Sequence, residues 1–285
     1  GPSPTPAPLT VREPWGTVQD GPNPATGGKI ASVTMADAAI AARAIEDARI
    51  WDAPAAERAA VLRRAADLYE ENFGPIFGIL AKEAGKTLAD AVAELREAVD
   101  FLRYYAAEGE TNPGAPRGII GAISPWNFPL AIFTGQIAAA LMAGNAVIAK
   151  PAEATPIIAA LGVRLLHQAG VPVSALQLLP GRGGVVGSAL TADGRVKGVV
   201  FTGSTATGRR FLHYSADSNL KEVVLELGGK NPCIVLDDAE DLDAVAAHVV
   251  NGAFWNMGQN CSAGSRLIVH RAIQDRLMER IEAHA

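Results

Sequence analysis

A cysteine in polar, glycine-flanked surroundings is the residue of this sequence best suited to nucleophilic chemistry. Cys261 lies in the segment GQNCSAGS, between a predicted amphipathic helix at 242–257 and a predicted strand at 266–270. Reactive thiolates occur in polar, partly exposed loops, whereas Cys233 lies in an apolar run and is expected to be an inert small hydrophobe. The alternative is an unreactive thiol, since most loop cysteines are not catalytic. Catalysis by Cys261 would also need a base and an oxyanion donor nearby.

Glu226 and Asn127 have the side-chain types that such a nucleophile needs. Glu226 ends an apolar run, where desolvation would raise its proton affinity and suit it to general base catalysis. The alternative is a half-buried carboxylate paired with Lys221 or Lys230. Asn127, in the segment SPWNFP, is an amide donor at the end of a predicted strand, as an oxyanion hole requires. The alternative for Asn127 is a turn-forming residue.

Two glycine-containing segments also follow predicted strands. In FTGST, Gly203 permits close backbone approach and Ser204 precedes a helix, whose N-terminus suits a phosphate. The alternative is an ordinary turn capped by Ser204 or Thr205. The segment GRGGVVG contains Gly183 and Gly187, but their spacing does not match the dinucleotide fingerprint GxGxxG, so this signal is weak by itself.

A lysine and a glutamate close another predicted strand, in the segment KPAE. An acidic residue at such a position can bind the hydroxyls of an adenine ribose, which makes Glu153 and its neighbour Lys150 candidate cofactor-binding residues. The alternative is a solvated salt bridge between Lys150 and Glu153, which is the more common arrangement for opposite charges this close.

The elements that carry these loops alternate between strands and helices. Strands are predicted at 118–124, 146–150, 176–179, 198–202, 223–227 and 233–236, with helices at 129–144, 156–169 and 208–214 between them. Near-continuous apolar strands separated by helices predict an α/β fold with a parallel sheet and helices on both faces. Such sheets bind ligands at the carboxyl ends of their strands, so function is expected in the segments that directly follow them: SPWNFP, KPAE, PGRGG, FTGST and ELGGK.

The first third of the chain is predicted to be helical scaffold. Apolar residues at three- and four-residue spacing predict helices at 37–51, 55–69 and 88–105. In the third helix, Leu95 lies on the apolar face, and Glu94 and Glu97 lie largely on another. No chemistry is expected from these helices.

Composition excludes several function classes. The 285 residues are 49% hydrophobic with a formal net charge of −5, and no basic block favours nucleic acid or an anionic membrane surface. No apolar stretch reaches the length of a membrane span. Two cysteines do not make a disulfide framework, which favours a reducing, cytoplasmic setting. The proline-rich start predicts an arm or tag-derived linker over residues 1–22.

Five of the segments occur together in a known family. SPWNFP, KPAE, FTGS, ELGGK and GQNCSAGSR, in this order and at these separations, resemble the aldehyde dehydrogenase superfamily from about residue 23 to the end of the chain. The resemblance implies a Rossmann-like cofactor domain at 23–228 and the start of an α/β catalytic domain at 229–285. It also implies the following roles: Cys261 as nucleophile, Glu226 as general base, Asn127 and the Cys261 backbone N–H as oxyanion donors, Lys150 and Glu153 at the adenine ribose, Gly203 and Ser204 at the pyrophosphate, Gly183 and Gly187 in a second cofactor loop, and Trp126 near the cofactor.

The implied function is NAD-dependent oxidation of a small-molecule aldehyde to a carboxylic acid through a cysteine thiohemiacetal and thioester. NAD is expected rather than NADP because the charge of Glu153 would repel a 2′-phosphate. No metal, nucleic acid or membrane partner is expected; full-length family members are homo-oligomers. The front half resembles glutamate-semialdehyde (pyrroline-carboxylate) dehydrogenases and the back half broad-specificity members, so the aldehyde stays open.

The family's ExFGP motif, which holds the nicotinamide ribose, is absent from these 285 residues. The chain is therefore expected to be shorter than family members on its C-terminal side. One alternative function is a cofactor-binding fragment with little or no dehydrogenase activity. Another is an acylating thiol transferase that uses the same cysteine without a base, against which the presence of Glu226 argues.

Overall fold

A computed structural model of the protein describes residues 9–10 and 16–285. The chain divides into two compact units, Gly1–Glu226 and Leu227–Ala285, a boundary two residues before the expected end of the cofactor domain. The predicted arm lies partly outside the described residues. Thr17–Pro22 differs from that prediction because it is a strand whose backbone pairs antiparallel with Lys29–Met35.

The first unit contains most of the helices and the main sheet. Its elements in chain order are β1 (Thr17–Pro22), β2 (Lys29–Met35), α1 (Ala38–Asp47), α2 (Ala55–Glu71), α3 (Phe73–Glu83), α4 (Leu88–Thr111), β3 (Ile119–Ile123), α5 (Ala131–Met142), β4 (Ala146–Lys150), α6 (Pro156–Ala169), β5 (Leu176–Leu178), a π-helical turn (Gly183–Gly187), α7 (Ser188–Ala192), β6 (Val196–Gly203), α8 (Thr205–Ala216) and β7 (Glu222–Leu227).

The main sheet has five strands in the order β5-β4-β3-β6-β7. The pairs β3–β4, β3–β6 and β4–β5 are parallel, which confirms the predicted α/β class with a parallel sheet. The chain builds the sheet outward from β3 on one side and then crosses to β6 on the other. This reversal makes a topological switch point between β3 and β6, and ligands of such sheets bind at the carboxyl ends of the strands beside it.

The main core lies between the sheet and the helices α2, α4, α5 and α6. All five residues of β4 are buried, which explains why AVIAK reads as an almost uninterrupted apolar run.

Three helices of the first unit differ from prediction. The first ends at Asp47 because Arg49 and Trp51 donate their backbone N–H groups to Ser174 and Gly144 instead of continuing the helix. The helix α4 continues to Thr111, and α3 was not predicted.

The second unit contains β8 (Pro232–Val235), α9 (Leu242–Phe254), β9 (Arg266–Val269) and α10 (Gln274–His284), with β8 and β9 paired in parallel. Its small core packs both helices against the strands. The helix α9 stops three residues before the predicted end because Asn256 and Met257 adopt left-handed backbone conformations, with φ of 53° and 59°. Within the described residues, no helix is long and apolar enough to cross a membrane.

Candidate active site

Gln136 in α5 joins the two strands that flank the switch point. The hydroxyl of Ser124, directly after β3, donates to Gln136 Oε1 at 2.8 Å, and Gln136 Nε2 donates to Thr202 Oγ1 in β6 at 3.0 Å. The loops that leave β3 and β6 therefore start from a fixed separation. The only sequence signal for this role is one amide side chain in a mostly apolar helix, which does not by itself indicate a partner.

Lys150, at the end of β4, is buried, with 3% of its surface exposed. Its Nζ donates to the Pro151 carbonyl at 2.8 Å. Burial lowers the pKa of Lys150 to about 8, although the nearby charge of Glu153 acts in the opposite direction. The ammonium of Lys150 keeps N–H donors that no other described residue accepts.

Glu153 connects the KPAE loop to the glycine loop after β5. Its Oε1 accepts from the backbone N–H of Gly183 at 2.7 Å, so the expected alternative of a direct salt bridge with Lys150 is not what forms. A Cβ on Gly187 would lie 3.9 Å from Lys150 Cδ, which places the far end of the π-helical turn against the lysine stem. The structure thus brings together Lys150, Glu153, Gly183 and Gly187.

Gly203 ends β6, and Ser204 is the residue that precedes α8. A Cβ on residue 203 would lie 2.5 Å from the ring of Phe201, so the turn requires glycine for space. The hydroxyl of Ser204 accepts from the backbone N–H of Thr207 at 3.3 Å, which makes Ser204 the helix cap, as the alternative interpretation expected. Capping by Ser204 uses only one of the free N–H groups of the first turn, so the N-terminus of α8 could still bind an anion.

Asn127 and Trp126 lie in the loop that leaves β3. Trp126 is 48% exposed and Asn127 is half-buried. The backbone carbonyl of Asn127 accepts from Lys86 Nζ at 2.7 Å. This lysine pairs with Glu94, which is 1% exposed. Glu94 was predicted to lie on a face of its helix other than the apolar one, but its carboxylate is buried and accepts from the first backbone N–H groups of α5.

Glu226 does not have the environment expected for it. The strand β7 alternates half-buried and exposed residues, and Glu226 is one of the exposed ones. The predicted desolvation is therefore absent. The alternative pairing with Lys221 is also absent, because Lys221 donates to the Thr191 carbonyl and the Ser218 hydroxyl.

Cys261 is exposed, whereas Cys233 is half-buried in β8. The loop around Cys261 is held by side chains: Asn231 Nδ2 donates to the Cys261 carbonyl at 2.8 Å, and Asn260 Oδ1 accepts from the Ser262 backbone N–H at 3.0 Å. The thiol Sγ lies 3.8 Å from Asn260 Oδ1. A reactive thiol needs both access and a fixed position, and this loop provides both.

The turn that precedes this loop is strained. Asn256 and Met257 both have positive φ, and Gly258 follows at 71°. Left-handed conformations are unfavourable for side chains other than glycine and persist where surrounding contacts impose them. Here Asn256 is buried, and its Nδ2 donates to the Gln259 carbonyl at 3.0 Å. The buried Asn256 and its bond to Gln259 therefore hold this turn in place, just before the segment that leads into Cys261.

Comparison with known proteins identifies the family. The sequence model described as "Aldehyde dehydrogenase family" matches residues 13–285. The chain belongs to the aldehyde dehydrogenase family. It is 44% identical over 284 residues to aminoacetaldehyde dehydrogenase of Pseudomonas aeruginosa, covering 92% of this chain and 57% of that protein. It is 50% identical over 248 residues to the bifunctional protein PutA of Escherichia coli, covering 83% of this chain and 19% of that protein.

Solved structures of the family have the same fold. An indole-3-acetaldehyde dehydrogenase in complex with NAD+ superposes with a TM-score of 0.92 at 33% identity, covering 95% of this chain and 60% of that one. An Escherichia coli enzyme described as NADP dependent gives a TM-score of 0.93 at 34% identity, covering 98% and 63%. The predicted resemblance is confirmed. The chain spans less than two thirds of the length of these relatives.

A buried carboxylate from another helix caps the N-terminus of α6, the helix that follows the KPAE loop. Glu83, at the end of α3, accepts from the backbone N–H groups of Ile157 and Ile158 at 2.7 and 2.9 Å. The residue before α6, Thr155, makes no side-chain cap, and its buried Oγ1 has no partner among the described residues. Burial raises the pKa of Glu83 to about 7, against an ordinary value of 4.5, although the two N–H donors oppose this shift.

Replacing Glu83 with glutamine is expected to flatten the pH dependence of stability. Because its pKa is higher in the folded state, Glu83 stabilises the fold most at low pH, and this contribution is lost as the pH rises through about 7. The contribution of Glu83 to the free energy of unfolding of the wild type should fall by about 2 kcal/mol between pH 5 and pH 7, and the glutamine variant should lack this fall. Urea denaturation at pH 5 and pH 7 gives the free energy of unfolding at each pH. The measurement is made on the wild type, on Glu83→Gln and on the exposed control Glu57→Gln. The same pH dependence in wild type and Glu83→Gln would contradict the assignment.

Proposed function

We propose that the protein oxidises an aldehyde to a carboxylic acid with NAD as hydride acceptor, using Cys261 as the nucleophile. The observation that carries the proposal is the exposed thiol of Cys261 in an anchored loop, in a chain that matches the aldehyde dehydrogenase family over residues 13–285. Names of relatives support the substrate class, because several are aldehyde dehydrogenases. The scarcity of cysteine supports a reducing, cytoplasmic setting.

The residues at the carboxyl edge of the sheet fit a dinucleotide. A ribose needs hydrogen-bond partners of both kinds: Glu153 Oε2 accepts from no other described residue, and the Lys150 ammonium retains donors. The turn at Gly203 leads directly into the capped N-terminus of α8, whose free backbone N–H groups and positive dipole end would stabilise a pyrophosphate. We therefore assign the ribose to Lys150 and Glu153 and the pyrophosphate to Gly203 and Ser204, with Gly183, Gly187 and Trp126 lining the site.

The proposed reaction starts at the Cys261 thiolate, which adds to the aldehyde carbon and converts the carbonyl oxygen into an oxyanion. The Asn127 side-chain amide and the Cys261 backbone N–H donate to that oxyanion. When bound, NAD supplies the acceptor for the hydride that leaves the former aldehyde carbon, so that a thioester remains on Cys261. Glu226 then takes a proton from water, and the hydroxide breaks the C–S bond to release the carboxylic acid and the thiolate.

The exposure of Glu226 agrees with a base that must reach water. Because Glu226 is exposed and not desolvated, its proposed contribution is to stand where it can contact the attacking water.

Three outcomes of one assay separate this reaction from its alternatives. The protein is incubated with NAD and a set of aliphatic, aromatic and carboxylated aldehydes, and NADH and acid are measured by absorbance and NMR. Equal amounts of NADH and acid, with no added thiol, are expected. NAD binding without NADH formation would instead support a cofactor-binding fragment. NADH formation only with an added thiol acceptor, giving an acyl thioester, would support an acylating transferase.

Tighter binding of NAD than of NADP is expected because the Glu153 carboxylate would repel a 2′-phosphate. The variant Glu153→Gln removes the charge and keeps an acceptor for the Gly183 N–H. It should bind NADP roughly tenfold more tightly than wild type does, a change of about 1.4 kcal/mol. Quenching of tryptophan fluorescence measures both affinities, with the exposed Glu108→Gln as a control. Equal affinity of the wild type for both cofactors would reject the role of Glu153.

A further inference from the structure

A buried ion pair lies beneath the loop that carries Asn127. Lys86, just before α4, and Glu94, in α4, have side chains that are 2% and 0% exposed, with Lys86 Nζ 3.1 Å from Glu94 Oε2. Removing two charges from water costs more than their attraction returns unless further hydrogen bonds satisfy both groups. The remaining bonds of this pair therefore indicate what it holds in place.

Both members of the pair bind the same short backbone segment. Lys86 Nζ donates to the carbonyl of Asn127 at 2.7 Å and lies 4.5 Å from the centre of the Phe128 ring. Glu94 Oε1 accepts from the backbone N–H groups of Leu130 and Ala131 at 2.8 and 3.2 Å. Segment 127–131 is thus held at its first carbonyl by the cation and at its last two amides by the anion.

The two contacts have different consequences. Glu94 caps α5, whose first residues have no side-chain cap of their own, and so fixes the helix. Lys86 fixes the peptide group of Asn127 itself. Since the direction of a side chain follows from the backbone that carries it, the bond to the Asn127 carbonyl restricts where the Asn127 amide can point. A charge-assisted hydrogen bond of this kind is stronger than a neutral one.

We propose that Lys86 is a positioning residue for catalysis, which holds the Asn127 amide in the orientation for donation to the oxyanion. The proposal rests on the function proposed above, because it gives Asn127 that role. Lys86 touches neither substrate nor cofactor in this scheme, and it acts through the Asn127 carbonyl. The competing explanation is that Lys86 serves only to neutralise Glu94.

A double variant separates the two explanations. Lys86→Met/Glu94→Gln removes both charges, and the glutamine keeps an acceptor for Leu130 and Ala131. If Lys86 positions Asn127, we expect kcat to fall roughly 10-fold to 100-fold with an unchanged KM for NAD. Amide exchange in segment 127–131 should also be at least about tenfold faster. The single variant Lys86→Arg, which keeps a cationic donor at this position, should retain most of the wild-type kcat. The exposed Lys82→Met is a control and should match wild type in every measurement.

Wild-type kcat and wild-type exchange in the double variant would overturn the proposal. The wild-type protein gives a second measurement that does not depend on the folding of any variant: segment 127–131 should exchange as slowly as β4, and exchange as fast as in an exposed loop would also overturn it. If the wild type forms no NADH, the proposed function fails, and the exchange rates still decide whether Lys86 fixes the Asn127 backbone.

Discussion

Replacing Cys261 with serine is expected to reduce NADH formation from aldehyde by roughly 10⁴-fold or more, because a serine hydroxyl is not ionised near neutral pH and is a far weaker nucleophile than a thiolate. The matched variant Cys233→Ser should retain wild-type kcat, since Cys233 is half-buried in β8 and takes no part in the proposed reaction. Steady-state kinetics with a saturating aldehyde measure both effects.

Chemical labelling tests the same assignment without turnover. Iodoacetamide near neutral pH should modify Cys261 before Cys233 in the folded protein, because Cys261 is the exposed thiol. Peptide mapping locates the label, and Cys261→Ser should abolish its rapid phase. Faster labelling of Cys233 would show that Cys261 is not the reactive residue, whatever the kinetic result.

Replacing Asn127 with alanine is expected to lower kcat by about 10²-fold to 10³-fold, or about 2.7–4 kcal/mol, which is the usual effect of losing one oxyanion donor. The KM for NAD should stay unchanged, because the amide acts on the reacting oxygen. The bond from Lys86 to the backbone carbonyl remains in this variant, so the loop should keep its conformation.

Asn219→Ala provides a control of the same chemical type. Asn219 donates to the carbonyls of Gly194 and Val196, and none of these three residues has a role in the proposed reaction. Its loss should reduce the free energy of unfolding and leave kcat within threefold of wild type. A kcat for Asn127→Ala that is also within threefold of wild type would remove Asn127 from the proposed mechanism.

The sequence predicts the sheet and the loops well because both depend on local patterns. The uninterrupted apolar run before Lys150 and the alternation of strands with helices are properties of neighbouring residues, and the structure confirms the parallel sheet that they indicate. The glycine and serine of FTGST also act locally, as a close approach and a helix cap. The ends of helices were less predictable: α1 and α9 stop where backbone groups bond to distant residues or adopt left-handed conformations.

The partners of buried polar residues could not be predicted from local patterns. Glu94 has the same helical spacing as exposed glutamates, yet it bonds to amides 36 and 37 residues away. Lys86 reaches a carbonyl 41 residues away, and Glu83 reaches amides 74 and 75 residues away. The exposure of Glu226 likewise depends on what packs beside β7, which an apolar run by itself does not indicate.

The way in which α5 and α6 begin has a consequence for the order of folding. Neither helix has a side-chain cap from its own N-terminal residues, and carboxylates from α4 and α3 bond to their first amides instead. A helix forms its first turn at a net cost in free energy, so an uncapped start delays nucleation. We therefore expect the first turns of α5 and α6, and with them the loops after β3 and β4, to become stable only after α3 and α4 have docked, which would make the carboxyl edge of the sheet form late in folding.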